Sequence, residues 1–200
     1  MFIEPITLVG KYARLEPLSE DHLTDLQTAS ADGELWKLWY TSVPQPVDMA
    51  ANIAFRLAQQ DQGVMMPFVV RRTADDRIVG CTSFASIMPE HRRVEIGYTW
   101  YGKSAQHTPI NTEVKLIMLT HAFEVKRCIA VEFMTHWMNH QSRAAIERLG
   151  AKLDGVLRNH RIGPLGEFRD TCAYSIISTE WPAVKVHLLH LLTRVQQNAD

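Results

Sequence analysis

Cysteine is scarce in this chain: three residues in 200, Cys81, Cys128 and Cys172. The number is odd, the spacing is wide, and each residue sits in an apolar, strand-like run. Buried thiols in a reducing compartment are therefore expected, rather than disulfides or a zinc site. Charge of one sign is scarce as well. Lys and Arg total 21 against 22 Asp and Glu, for a formal net charge of −1. The basic pairs Arg71-Arg72 and Arg92-Arg93 are too scattered to form a stripe, so nucleic acid is not expected as a general partner. Long hydrophobic runs are missing too. No stretch approaches the roughly 18 apolar residues of a membrane span, and the opening MFIEPITLVGKYARLEP is too acidic, with too short an apolar run, for a signal peptide. There is no internal repeat and no low-complexity linker. The expectation is a cytoplasmic protein with no membrane partner and one domain, its 46% hydrophobic content sufficient for one well-buried core.

The residues that are present alternate between two periods. Ile6 to Val9 and Tyr12 to Leu15 flank a Gly-Lys turn and predict a small hairpin, and Ser19 predicts a helix cap, with the helix running to about Thr28. In GELWKLWYTSVPQP, Trp36, Trp39 and Tyr40 predict a short helix stopped by Pro44 and Pro46. Met49, Ile53, Phe55 and Leu57 predict another, ending near Gln60. The period then falls to two. MPFVVRRTADDRIVGCTSFASIM predicts a hairpin turning at Ala74-Asp75-Asp76, and RRVEIGYTW a third strand beside it.

A helix from about Thr108 to Lys126 follows, with Ile110, Val114, Ile117, Met118, Ala122 and Val125 on one face. CIAVEFMTH predicts a strand, and a short helix from Asn139 stops before Gly150, a natural left-handed C-terminal residue. Strands around Lys152 to Arg161 and Thr171 to Ile177 close the pattern. AVKVHLLHLLTRVQQ predicts an amphipathic terminal helix that packs on the body or makes a dimer contact. His187 and His190, with no third ligand implied nearby, read as ordinary residues of that helix, and no metal is expected. The fold class is α/β (α+β), with a mixed, mostly antiparallel central sheet flanked by helices.

The strings VEIGYTW, QHTPINTEVKLIMLTHAFE, NHQSRAAIERLGAKLDGVLRNH, GEFRDTCAYSII and EWPAVK, taken together, resemble the GNAT acetyltransferase superfamily. Within it they resemble the branch of the RimJ/RimL-type ribosomal-protein N-terminal acetyltransferases. The resemblance runs over roughly residues 10 to 185 and is strongest after Glu95. It implies a GNAT-like domain over residues 1–183, with 184–200 a C-terminal helix packed on it or at a dimer contact, in a monomer or homodimer. It also implies acetyl-CoA as co-substrate and an amine as acceptor, either a protein N-terminus or a small molecule.

Such an enzyme must hold a diphosphate, offer donors to a thioester carbonyl, and bring in an amine from the other side. The helix start near Thr108 presents free N–H groups and the positive end of a dipole to the diphosphate. Gln106, His107, Thr108, Asn111 and Thr112 are the expected contacts there. Backbone from Gly97, Tyr98, Thr99 and Trp100 is expected to serve the thioester and pantetheine amides if that strand splays from its neighbour. Relatives in this branch tend to carry Arg and Gly where this chain has His107 and Pro109. With Thr108 as N-cap, Pro109 fits the first helical position without breaking a helix bond. Its missing N–H removes one anion donor, and His107 is mostly neutral at pH 7, so weakened cofactor binding is expected.

Asn139 reads both as an N-cap and as a pantetheine contact. Ser142 reads as a polar first-turn residue or as the acid for the leaving thiolate. Glu95 is the first candidate base, with a sheet-face carboxylate paired to Arg92 or Arg93 as the structural alternative. His160 is the second candidate, because some members of the branch are thought to use a carboxylate in its neighbourhood. Trp36, Trp39 and Tyr40 read as core aromatics or as the mouth of the acceptor site. The competing functional reading is a catalytically weakened GNAT-fold binding or scaffold protein with an altered pyrophosphate loop.

Overall fold

The computed structural model describes residues 2–163 and 165–197. The last three positions of the expected 184–200 segment lie outside the described residues. The chain opens with β1 (Leu8–Val9) and β2 (Ala13–Pro17), which pair antiparallel. Helix α1 covers Leu23–Ala31. A 3-10 turn at Glu20–His22 leads into it, and Ser19 caps that turn as expected. His22 completes the capping box, its Nδ1 accepting the Ser19 N–H at 3.1 Å.

The expected Trp36 to Tyr40 helix is only a 3-10 turn at Leu35–Lys37. The Thr41 hydroxyl donates to the carbonyls of Leu35 and Leu38 at 3.1 and 3.0 Å, satisfying them without further helical turns. Helix α2 (Met49–Asp61) leads into β3 (Met66–Arg72), β4 (Ile78–Met88) and β5 (Arg93–Tyr101).

Helix α3 (Ile110–Thr120) crosses over from β5 to β6 (Ala130–His136). The α-helical pattern ends before Lys126, because its last turn widens into a π-turn at His121–Val125. That turn swings Val125 off the packed face, leaving it 61% exposed. Helix α4 (His140–Arg148), β7 (Lys152–Ile162), β8 (Phe168–Ile177) and α5 (Trp181–Gln197) complete the chain. Cys128 is buried just ahead of β6 rather than inside it.

Among the described residues the eight strands form one sheet in the order β1-β2-β3-β4-β5-β6-β8-β7. Every neighbouring pair is antiparallel except β5–β6. That parallel pair is what the α3 crossover demands. On one face, Leu26 of α1 and Met49 and Ile53 of α2 pack with Val69, Cys81 and Trp100. On the other, Val114, Met118 and Leu119 of α3 pack with Phe84, Phe133, Tyr174 and, from α5, Trp181, Val184 and Leu188. Trp181 stacks on Phe123 with ring centroids 5.3 Å apart.

A long-range tie fixes α3 against the first hairpin. The buried Glu113 carboxylate accepts the backbone N–H groups of Lys11, Tyr12 and Ala13 at 2.8, 2.6 and 2.9 Å. Gly10 belongs to the same contact, since a Cβ there would stand 2.4 Å from Glu113 Oε2.

Candidate active site

Strands β5 and β6 pair over only three residue pairs, Arg93–Ala130, Val94–Val131 and Glu95–Glu132. Beyond Glu95 they part, while β5 continues to Tyr101 and β6 to His136. The parting opens a wedge whose walls are unpaired strand backbone, a ready source of donors and acceptors for a ligand. A cleft of about 750 Å³ occupies it. Residues of both sheet faces line the cleft: Leu38, Tyr40 and Arg56 on the α1–α2 side, Thr108, Asn111, Asn139 and Ser142 on the α3–α4 side.

The wall contributed by β5 is irregular. Its pairing with β4 slips a residue between Cys81 and Ser83, and Tyr98 takes a left-handed φ of 53°. This bulge re-aims the backbone at the place where the wedge opens. Arg56, buried on α2, braces the bulge. Its Nη2 donates to the Tyr98 carbonyl and its Nη1 to Ser83 Oγ, both at 3.1 Å, while Nε donates to Asn52 Oδ1 at 2.8 Å.

At the α3 end, regular helix begins at Ile110, one residue later than expected, with Pro109 in the capping position at φ −61°, ψ −19°. Thr108 Oγ1 accepts the Ile110 N–H at 3.4 Å and donates to the Ala105 carbonyl at 2.7 Å. The first-turn N–H groups of Asn111 and Thr112 have no acceptor within the helix, whereas Pro109 supplies none. His107 holds a left-handed φ of 57° and is exposed on the cleft. The Gln106 side chain is spent on the Tyr101 carbonyl at 3.1 Å. Thr112 Oγ1 accepts from Arg148 Nη2 at 3.0 Å, which ties α4 to α3 across the cleft. Asn139 caps α4, its Oδ1 accepting the Ser142 N–H at 3.0 Å.

A strand wedge beside a helix N-terminus, on a sheet of this order, is the frame on which the comparisons with known proteins bear. Residues 13–152 match the acetyltransferase (GNAT) domain. The chain belongs to the GNAT acetyltransferase family. Over 111 residues it is 30% identical to the provisionally named ribosomal N-acetyltransferase YdaF of Bacillus subtilis, a stretch covering 56% of this chain and 60% of that relative. The aligned stretch thus spans less than two thirds of that relative's length. A GCN5-related N-acetyltransferase from Brucella melitensis superposes with a TM-score of 0.85 at 26% identity, covering 96% of this chain and 87% of that one. Mycobacterium smegmatis RimJ, solved in complex with CoA-disulfide, shares the fold with a TM-score of 0.77 at 20% identity, over 94% and 95% of the two chains. No helix among the described residues is long and apolar enough to cross a membrane.

Within this GNAT fold most of the expected residues gather on the cleft. Gly97, Tyr98, Thr99, Trp100, Gln106, His107, Thr108, Asn111, Thr112, Asn139, Ser142 and Tyr40 all line it. Trp36, Trp39 and His160 do not. Trp36 lies in the 3-10 turn, Trp39 meets His136 edge to face at 5.2 Å, and His160 stands exposed on β7. Glu95 is buried beside the cleft, its Oε1 lying 2.4 Å from where a Cβ on Gly97 would be. It is not paired with Arg92 or Arg93. Ser86 donates to it at 3.0 Å, while Arg93 pairs with Glu132. Burial pushes the Glu95 carboxyl up, and the Ser86 hydroxyl and the nearby Arg161 offset only part of that rise.

Five cleft-lining basic side chains escaped the sequence reading: Arg56, Lys115, His136, Arg148 and Arg169. Lys115 is fully buried on α3. Its Nζ donates to Thr99 Oγ1 at 2.9 Å and lies 3.5 Å from Thr82 Oγ1, and no carboxylate among the described residues pairs with it. Burial pulls its pKa from 10.5 down to about 7. A lysine inside VKLIML was the available signal, as was Arg56 in helical register with Met49 and Ile53 on the buried face.

Coenzyme A is a polyanion on an amide-bearing arm, and the cleft suits it. Among the described residues the cleft is lined by no Asp or Glu; it carries Arg148 and Lys115 on the α3–α4 side, and offers free N–H groups at α3 and unpaired strand backbone in the wedge.

Proposed function

We propose that the chain is an acetyl-CoA-dependent N-acetyltransferase that moves an acetyl group to a primary amine by direct attack in a ternary complex. The acceptor is a protein N-terminus or a small amine. The observation that carries this reading is the parting of β5 and β6 after Glu95, because the resulting cleft opens on both faces of the sheet. A thioester entering from the α3–α4 side and an amine from the α1–α2 side then meet in the wedge. The names of the ribosomal relative and of the CoA-bound RimJ neighbour support the same chemistry.

Acetyl-CoA, when bound, supplies an activated acetyl group. First-turn N–H groups of α3 with Thr108, Asn111 and Thr112 hold its phosphates. Asn139 and the Gly97 to Trp100 backbone hold the pantetheine arm and polarise the carbonyl. Glu95, its affinity for protons raised by burial, takes the proton from the incoming amine through water. An α-amine with a pKa of about 7.7 to 8 needs little such help. Ser142 gives a proton to the departing thiolate.

His107 and Pro109 favour a second reading, a binding or scaffold protein that has lost turnover, since together they remove a cation and an N–H from the anion site. Calorimetric titration with acetyl-CoA, followed by mass spectrometry of peptide and small-amine acceptors, separates the two. Saturable binding with an acetylated product supports the enzyme. Binding without product from any acceptor supports the scaffold, and no binding sinks the acetyltransferase reading and leaves the binding or scaffold protein.

A further inference from the structure

The two halves of the cleft are both positive, and only one of them has coenzyme A to account for it. On the α1–α2 side, where the amine enters, Arg56, His136 and Arg169 line the wall, and among the described residues no Asp or Glu lines the cleft. Arg56 makes its bonds to an amide, a hydroxyl and a carbonyl, so its charge is left unneutralised. His136 accepts the Met138 N–H on Nδ1 at 2.9 Å. In the neutral ring the proton therefore sits on Nε2, which becomes a donor.

Among the described residues, three buried donor atoms of cleft-lining side chains have no partner, Arg169 Nε, Trp100 Nε1 and Tyr101 Oη. Of the carboxylates around this wall, Glu95 is held by Ser86 and is assigned to the amine's proton, and the other two hydrogen-bond elsewhere. Asp170 accepts from Arg158 Nε and the Asn159 N–H at 2.5 and 2.8 Å, and Glu167 accepts the Leu165 N–H at 3.0 Å. Among the described residues neither Arg56 nor Arg169 has a salt-bridge partner, although Glu167 offsets part of the Arg169 charge from a distance; a wall of such donors and cations around an amine site is complementary to an acceptor that brings its own negative charge.

We infer that the acceptor is an anionic amine, one that carries a carboxylate or phosphate near the amino group, held by Arg169 and His136. The inference rests on the acetyltransferase reading above. The anion has two possible sources, an acidic side chain next to a peptide N-terminus or a small amino acid or amino phosphate, and the experiment tells them apart.

The test uses matched pairs on the intact chain: the tripeptide amides Ser-Asp-Ala and Ser-Asn-Ala, γ-aminobutyrate and its amide, and aminoethyl phosphate and ethanolamine. Acetylation kinetics are measured for each, beside equilibrium binding of each to the protein saturated with CoA. A preference of about tenfold or more for the anionic member of a pair is expected, carried by KM, shrinking in 0.5 M salt, and reduced in Arg169→Gln. The pair that responds identifies the source. Equal binding and equal turnover within every pair would overturn the inference while leaving the acetyltransferase reading intact. Failure to acetylate any acceptor would instead overturn the acetyltransferase reading, and the binding arm would still decide whether the wall prefers anions. Arg169→Lys controls for folding and is expected to retain part of the preference.

Discussion

Replacing Lys115 by Met should stabilise the protein, and by an amount that depends on pH. Lys115 is buried with two threonine hydroxyls and no counter-charge among the described residues, and its pKa falls from 10.5 to about 7. Below pH 7 both the folded and the unfolded chain carry this proton. Between about pH 7 and 10.5 the unfolded chain holds it and the folded chain does not, so stability rises with pH across that window. Integration gives a cost of keeping the lysine of about 5 kcal/mol at pH 6, about 2 kcal/mol at pH 9 and close to zero above pH 10.5.

Met has similar length, and Thr82 and Thr99 retain each other at 2.8 Å. Urea unfolding of the wild type and Lys115→Met, at pH 6 and pH 9, should therefore show the variant ahead at both values, with its lead smaller by about 2–3 kcal/mol at pH 9. A lead that does not change with pH, or a variant less stable than the wild type at pH 6, would refute the account of Lys115 as an uncompensated buried amine.

Pro109→Gly restores an N–H at the head of α3 and should tighten acetyl-CoA binding about 3–10-fold by calorimetry, at a stability cost of about 1 kcal/mol; unchanged or weaker binding would count against an anion site there. Glu95→Gln should lower kcat about 10–100-fold and remove the acid limb of the pH–rate profile. In the wild type that limb should lie above the usual carboxylate range, because burial raises this group; identical profiles would exclude Glu95 as the base. Glu113→Gln leaves one oxygen for three N–H donors and should lower stability by about 3 kcal/mol, or about 6–12 °C in the thermal midpoint. A shift under 2 °C, well below the 6–12 °C expected, would mean that the tie contributes little.

The sheet was legible because period-two runs and one long helical run order themselves into hairpins and a crossover, and the helix start at residues 108–110 followed from the proline. The segment around Trp36 was misread because its aromatic spacing is helical while the Thr41 hydroxyl captures the carbonyls a helix would have used. The bulge at Tyr98 left no mark in the hydrophobic pattern, since one extra residue shifts the register without changing composition. The residues facing the cleft beyond it therefore could not be sorted by alternation. His136 and Arg169 were missed for a related reason: they come from β6 and β8, whose sequence separation hides that they border one wall.

The bond between Glu113 and the turn at Lys11 to Ala13 joins residues 100 to 102 positions apart. On a ribosome adding about 5–20 residues per second, the hairpin is made some 5–20 s before the carboxylate that holds it. Through that interval its three N–H groups must be served by water. The helix start on the cleft is therefore locked in place only after Glu113 has been added, and the hairpin becomes a late participant in folding despite being synthesised about 100 residues earlier.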